Sequence, residues 1–228
     1  MSGNSTEELS RKCGNAKKKI GNMSTEIEGR ISAKNSDESA LQAATAEAAQ
    51  LQHQIDSLEA EFSSLQSQAS AAASASDDDN DNSSEVQAIY SQMLSVQSEL
   101  SARRAEKEKK EAEKEALRKK IREHESYLQS LLQTIQSYWQ SLEWLQSEAY
   151  HNRTDHQNRE RELNRAAPAR FGSSASGAAA QTRGKIAALD GIVRECATMK
   201  SVLTDNKHKI DDSLSRGAKA IDDSERDR

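Results

Sequence analysis

The sequence predicts an all-α protein, an elongated antiparallel three-helix coiled coil made of a long helical hairpin and a shorter third helix. Three observations carry that expectation. The 228 residues are 34% apolar, 4% aromatic and 30% charged, which leaves too little material for a broad globular core. One proline stands in the whole chain, and Ala, Gln, Glu, Lys and Ser are abundant, a composition that continues helices rather than breaking them. Apolar residues recur at alternating spacings of three and four, the period of a helix that buries one stripe, and no segment shows the alternation of a half-buried strand.

The first helix is expected from Ser5 to Ser76. Its stripe opens at Leu9 and runs through Cys13, Ala16, Ile20, Met23 and Ile27, then resumes at Leu41 and continues in the same phase to Ile55, Leu65 and Ala72. Arg30, Lys34 and Asp37 fall on the register in the gap, as a polar interruption. The run SASDDDNDNSS, Ser74 to Ser84, ends the helix, because Asp and Asn compete for backbone hydrogen bonds and consecutive like charges repel. It predicts a turn near 77–84.

Ser84 is the expected N-cap of the second helix, which runs to Arg165. Its stripe holds Val86, Ile89, Met93, Val96 and Leu100, breaks, and resumes at Leu117 and Ile121 toward Leu145 and Ala149. The break is ARRAEKEKKEAEKEALRKK, Ala102 to Lys120, where Arg103, Lys107, Lys110 and Lys114 take the a and d positions. Glu106 and Glu111 stand three or four residues from Lys110 and Lys114, so side-chain pairs sustain the helix while the seam is lost. If the helices fold back on one another, residue n of the first faces roughly 161 − n of the second, residue m of the third faces roughly 340 − m, and the first and third run side by side at an offset of about 179. The third helix then covers the second down to about Ile121, and the charged stretch starts just beyond. Two readings follow: a solvated spacer whose charged heads lie in water, or a docking strip for an acidic partner or lipid headgroups.

APARFGSSASG, with Pro168 and Gly172, marks a connection over 166–174. The chain thus divides into a hairpin, 1–165, the linker 166–174, and a third helix with a charged tail, 175–228, helical from about Ser174 to Asp222. The stripe of the third helix, from Ile186 through Leu189, Cys196 and Leu203 to Ile221, is wide, as suits a helix packed on two others.

Few residues carry chemistry. In HNRTDHQ, His151 and Asp155 share a helical face, but His151 and His156 are five apart where the zinc motif HExxH needs four, so no metal or cofactor is expected. His208 with Asp212 reads as an exposed pair, and His53 and His124 have no convergent acid or thiolate. Cys13 and Cys196 form neither a disulfide framework nor a metal spacing; both are expected buried and reduced, on facing stripes at one height. With no phosphate loop, nucleophile elbow or paired carboxylates, no enzyme is expected. In SYWQSLEWLQSEAY, Ser137 to Tyr150, Tyr138 and Trp139 face the bundle, whereas Trp144 falls on the outer face. There it is either partly covered by a neighbouring helix or a contact for another protein.

A net charge of −5 with both signs interspersed argues against nucleic acid and anionic lipid as partners. No stretch reads as a signal peptide or membrane span, so the expected address is the cytoplasm, with export lacking a cleaved signal as the alternative. The leading expectation is a non-catalytic scaffold or interaction protein that binds protein partners, itself included, with Arg103, Lys107, Lys110, Lys114 and Trp144 as candidate contacts. The segment RFGSSASGAAAQTRGKIAALDGIVRECATMKSVLTDNKHKIDDSLSRGAKAID resembles the small-residue turn and second helix of the Trp-Xaa-Gly (WXG) superfamily, including its coiled-coil members tied to type VII secretion in Gram-positive bacteria. Phe171-Gly172 stands at the Trp-Xaa-Gly position, and the resemblance covers about a quarter of the chain. It implies a secreted helical substrate, or a helical partner that masks a toxin's targeting domain. Three long antiparallel helices also resemble BAR domains and bacterial relatives of ESCRT-III proteins, which would imply membrane remodelling through a basic face. Only Arg11 to Lys19 and the charged stretch approach such a face.

Overall fold

Ser5 stops the chain from entering its first helix ungrounded: its hydroxyl accepts the Glu8 backbone N–H at 3.2 Å, and Glu7 and Glu8 place negative charge at the helix start. In the computed structural model, which describes residues 5–74, 83–170 and 174–226, the elements are α1 (Thr6–Ser74), α2 (Ser83–Arg170) and α3 (Ser174–Arg226). The three pack against one another, and among the described residues there is no strand. The fold is an all-α three-helix bundle. Most of the expected turn near 77–84 and the Phe171-Gly172 pair lie outside the described residues. Ser84 is not the N-cap, since α2 is already helical at Ser83.

Two compact units make up the chain, residues 1–33 with 124–215, and residues 34–123 with 216–228. In the first, one core gathers Leu9, Cys13, Ile20 and Ile27 of α1, Leu128, Ile135 and Leu142 of α2, and Leu189, Cys196, Leu203 and Ile210 of α3. Polar contacts fix how α1 and α3 lie along each other. Asn206, 2% exposed, donates to Ser24 Oγ at 2.7 Å, and Lys209 donates to Glu28 Oε1 at 2.7 Å. These pairs are separated by 182 and 181 residues, close to the expected offset, and a constant separation means parallel helices.

In the second unit, Ile55, Leu65 and Ala69 of α1 meet Ile89, Val96 and Leu100 of α2. The separation between partners grows from 45 for Arg104 and Glu59 to 55 for Lys107 and Gln52, so these helices are antiparallel. A further cluster joins Leu41, Ala44, Leu117 and Ile121 to Ile221, which puts the end of α3 over the stretch of α2 that the fold-back register assigns to it.

Three cations of this unit are buried, Lys34 at 0%, Lys114 at 1% and Arg118 at 1% exposure, and for the two in the charged stretch this contradicts the solvated-spacer reading. Lys34 bonds Glu38 at 2.5 Å and Lys114 bonds Glu111 at 3.1 Å, each within its own helix. Arg118 does more. It donates to Glu115 at 2.5 Å, to the Ser224 hydroxyl at 2.9 Å and to the Ser224 carbonyl at 2.6 Å, and that hydroxyl in turn donates to the Ile221 carbonyl. The last carbonyls of a helix have no partner in their own helix, and a cation there also opposes the dipole. This explains why α3 continues to Arg226 rather than stopping at Asp222. At the other connection α2 continues past Arg165 through Pro168 to Arg170, so the proline, which removes one ladder bond and crowds the preceding turn, stands two residues before the helix end.

Two outcomes follow from these contacts. Arg118→Met should keep the aliphatic stem but lose the carbonyl cap, lowering stability by about 2–3 kcal/mol and accelerating amide exchange near Ile221 and Ser224. Unchanged exchange there would show that packing alone holds the end of α3. Gly184 and Gly191 sit inside α3 with open space where a Cβ would stand. Alanine at each should therefore raise stability by about 0.5–1 kcal/mol in urea denaturation.

Candidate functional site

The charged strip and the aromatic cluster place their side chains very differently. Arg103 reaches Glu106 at 3.0 Å and Glu99 at 3.7 Å. Lys107 is half-buried and donates to Gln52 of α1. Lys110 is shared between Glu47 at 2.7 Å and Glu113 at 2.9 Å, and these hydrogen bonds raise its ammonium above the usual lysine range. Glu111 pairs with Lys114 as the sequence suggests, whereas Glu106 pairs with Arg103 rather than Lys110, Glu59 is held by Arg104 at 2.6 Å and Asp56 accepts from Gln52 at 2.6 Å. Lys114 requires a correction. Its a/d position turns it inward, and at 1% exposure it has no surface to offer a partner. Arg103, Lys107 and Lys110 keep a partly open face but are already hydrogen-bonded within the chain, so docking there would exchange existing pairs rather than fill vacant ones.

In the first unit Trp144 is 49% exposed, and Lys12 of α1 sets its ammonium 4.9 Å from the indole centroid while also pairing with Glu8 at 2.9 Å. Lys12 of the neighbouring helix covers one face of Trp144, as the first alternative has it, and the other face stays open. An open groove of about 510 Å³ runs beside it, lined by Lys12 and Ala16 of α1 and by Tyr138, Ser141, Trp144 and Leu145 of α2. Trp139, by contrast, points inward, donating to Glu143 at 3.2 Å with the Lys200 ammonium 5.5 Å from its ring. Sequence reasoning missed Lys12, although the fold-back register brings it within about two turns of Trp144. It also missed Tyr127, which donates to Glu26 under the Arg30 guanidinium, 4.3 Å from its ring; the Glu26 bond is the chief cause that raises the phenol above its ordinary value.

His151 and Asp155 do meet, at 3.7 Å, as a four-residue spacing requires. No group of three or more His, Cys, Asp or Glu able to hold a metal occurs among the described residues, and none of their helices is long and apolar enough to cross a membrane. Comparison with family models, curated proteins and solved structures found no match to this chain.

His156 supplies a pH dependence. Burial, then the Lys185 and Arg159 charges, hold it below its ordinary value of 6.5, with Asp155 opposing. The folded chain thus binds fewer protons at this position than the unfolded chain, so its contribution to stability is present above the ordinary histidine range and is lost as pH falls through it. His156→Gln should flatten the dependence of the urea midpoint between about pH 8 and about pH 5; an unaltered slope would mean that solvent already surrounds the ring.

Proposed function

We propose that this chain is a non-catalytic helical interaction protein of the coiled-coil type, which binds a protein partner through the groove beside Trp144. The single observation behind this reading is that groove: a large aromatic held half-open by Lys12 next to Ala16, Tyr138 and Leu145. Tryptophan is a favoured anchor of protein interfaces because it buries much apolar area at little conformational cost, and a preformed open face needs no rearrangement to receive a partner. The charged strip supports a spacer role instead, since Arg103, Lys107, Lys110 and Lys114 are matched by carboxylates or Gln52 within the chain. The same pairing weakens a membrane-remodelling role. At the other basic stretch, Lys12 and Lys17 pair with Glu8 and Glu195. The resemblance of residues 170–222 to the WXG superfamily supports a second reading, in which the partner belongs to a type VII-like secretion system.

Trp144→Ser should leave helical content and thermal stability near those of the wild type, because the ring is half in solvent, yet lower affinity for a captured partner at least tenfold. Equal binding by both proteins would remove the groove from the account. Loss of binding on reversing Arg103, Lys107 and Lys110 to Glu, with Trp144 unimportant, would move the contact to the strip.

A further inference from the structure

The two thiols, Cys13 and Cys196, come from opposite ends of the sequence and lie in one core, 1% and 0% exposed. Their separation of 183 residues fits the parallel register of α1 and α3 set by Ser24 with Asn206. The Cys13 thiol donates to Glu195 Oε2 at 3.3 Å, and the next residue along α3 is Cys196, buried in the same core. A buried thiol usually stands alone among aliphatic carbon; here two thiols share one core cluster.

We infer that Cys13 and Cys196 form a dithiol site that small-molecule disulfides of the glutathione type oxidise to an intramolecular bond, covalently fastening α1 to α3. The site is asymmetric. The Cys13 thiol is pushed up by its interaction with Cys196, by burial and by its bond to Glu195, whereas Cys196 is lowered by Cys13 and by the Lys200 charge nearby. The two thiols titrate as a pair, and the Lys200 charge favours the thiolate on Cys196. Cys13 lies only two turns inside α1, which begins at Thr6, and helix ends open locally at small cost, which gives a reagent its way in.

The exchange balances in two steps. The Cys196 thiolate attacks one sulfur of the small disulfide, breaking its S–S bond, forming a mixed disulfide and releasing one small thiolate. Cys13 then loses its proton to solvent and attacks the Cys196 sulfur, expelling the second small thiolate. Two protein thiols are oxidised, one small disulfide is reduced to two thiols, and the released thiolates take up the protons.

The test uses the intact, folded chain. After incubation with oxidised glutathione, denatured samples are assayed for free thiols, intact mass and mobility on non-reducing gels, and folded samples for Tm. The expected result is loss of both thiols, a mass lower by two hydrogens, faster migration as a monomer, and a Tm raised by about 10 °C, since the bond closes a very long loop. Cys13→Ser should stop at the glutathione adduct of Cys196. Retention of both thiols, a wild-type reaction that halts at the adduct, or a disulfide-linked dimer would each overturn the inference.

Discussion

A helix with apolar residues at only two or three positions in seven is covered only when that stripe lies on the seam, and the rest of this structure depends on that constraint. Sliding α3 along α1 by one residue would carry its stripe off the seam, while sliding it by a whole heptad would keep apolar against apolar. Apolar periodicity alone therefore permits several registers. Polar contacts distinguish them: Asn206 meets Ser24 and Lys209 meets Glu28 in the first unit, and Arg118 meets Ser224 in the second. Each of these would be broken by a heptad shift, and a buried Asn or Arg left without its partner loses far more than the bond itself contributes. Their chief effect is specificity of alignment.

The stripes were legible in the sequence because burial in a long helix follows position. Leu9, Ile20, Ile121, Leu142 and Leu203 stand where the period places them, and all are buried. The same logic extends further than side-chain chemistry suggests. Lys34 and Lys114 occupy stripe positions and are buried despite their charge, each steadied by a carboxylate one helical turn away in its own helix. Reading Lys114 as part of a solvated spacer gave chemistry precedence over position, and position prevailed. Arg118 was not legible at all, since its burial depends on the end of α3 arriving from more than a hundred residues away. For the same reason the extent of α3 beyond Asp222 could not be read from DDSERDR, which taken alone looks like a charged tail.

The candidate site was half legible. Counting along the heptad puts Trp144 outside the seam and Trp139 beside it, as found. What the count could not supply is the partner of the exposed ring, because Lys12 reaches it from another helix, nor the groove that their separation leaves. Charge balance within the strip was similarly hidden. Glu106 and Glu111 are near in sequence, but Glu47 and Gln52 come from α1, and with them Arg103, Lys107 and Lys110 are matched within the chain. That matching is why the open aromatic, rather than the run of lysines, carries the functional reading.

The central claim is that one chain closes its own stripes, with α1 and α3 parallel in the register set by Ser24 and Asn206. The most direct measurement places Ser24→Cys and Asn206→Cys in a chain that also carries Cys13→Ser and Cys196→Ser, oxidises it at low protein concentration, and reads the product on a non-reducing gel and by intact mass. The account predicts a monomer with one internal disulfide, formed rapidly because the two native side chains touch at 2.7 Å. A cross-linked dimer would show that the stripes close between chains, and two free thiols would show that the register is wrong.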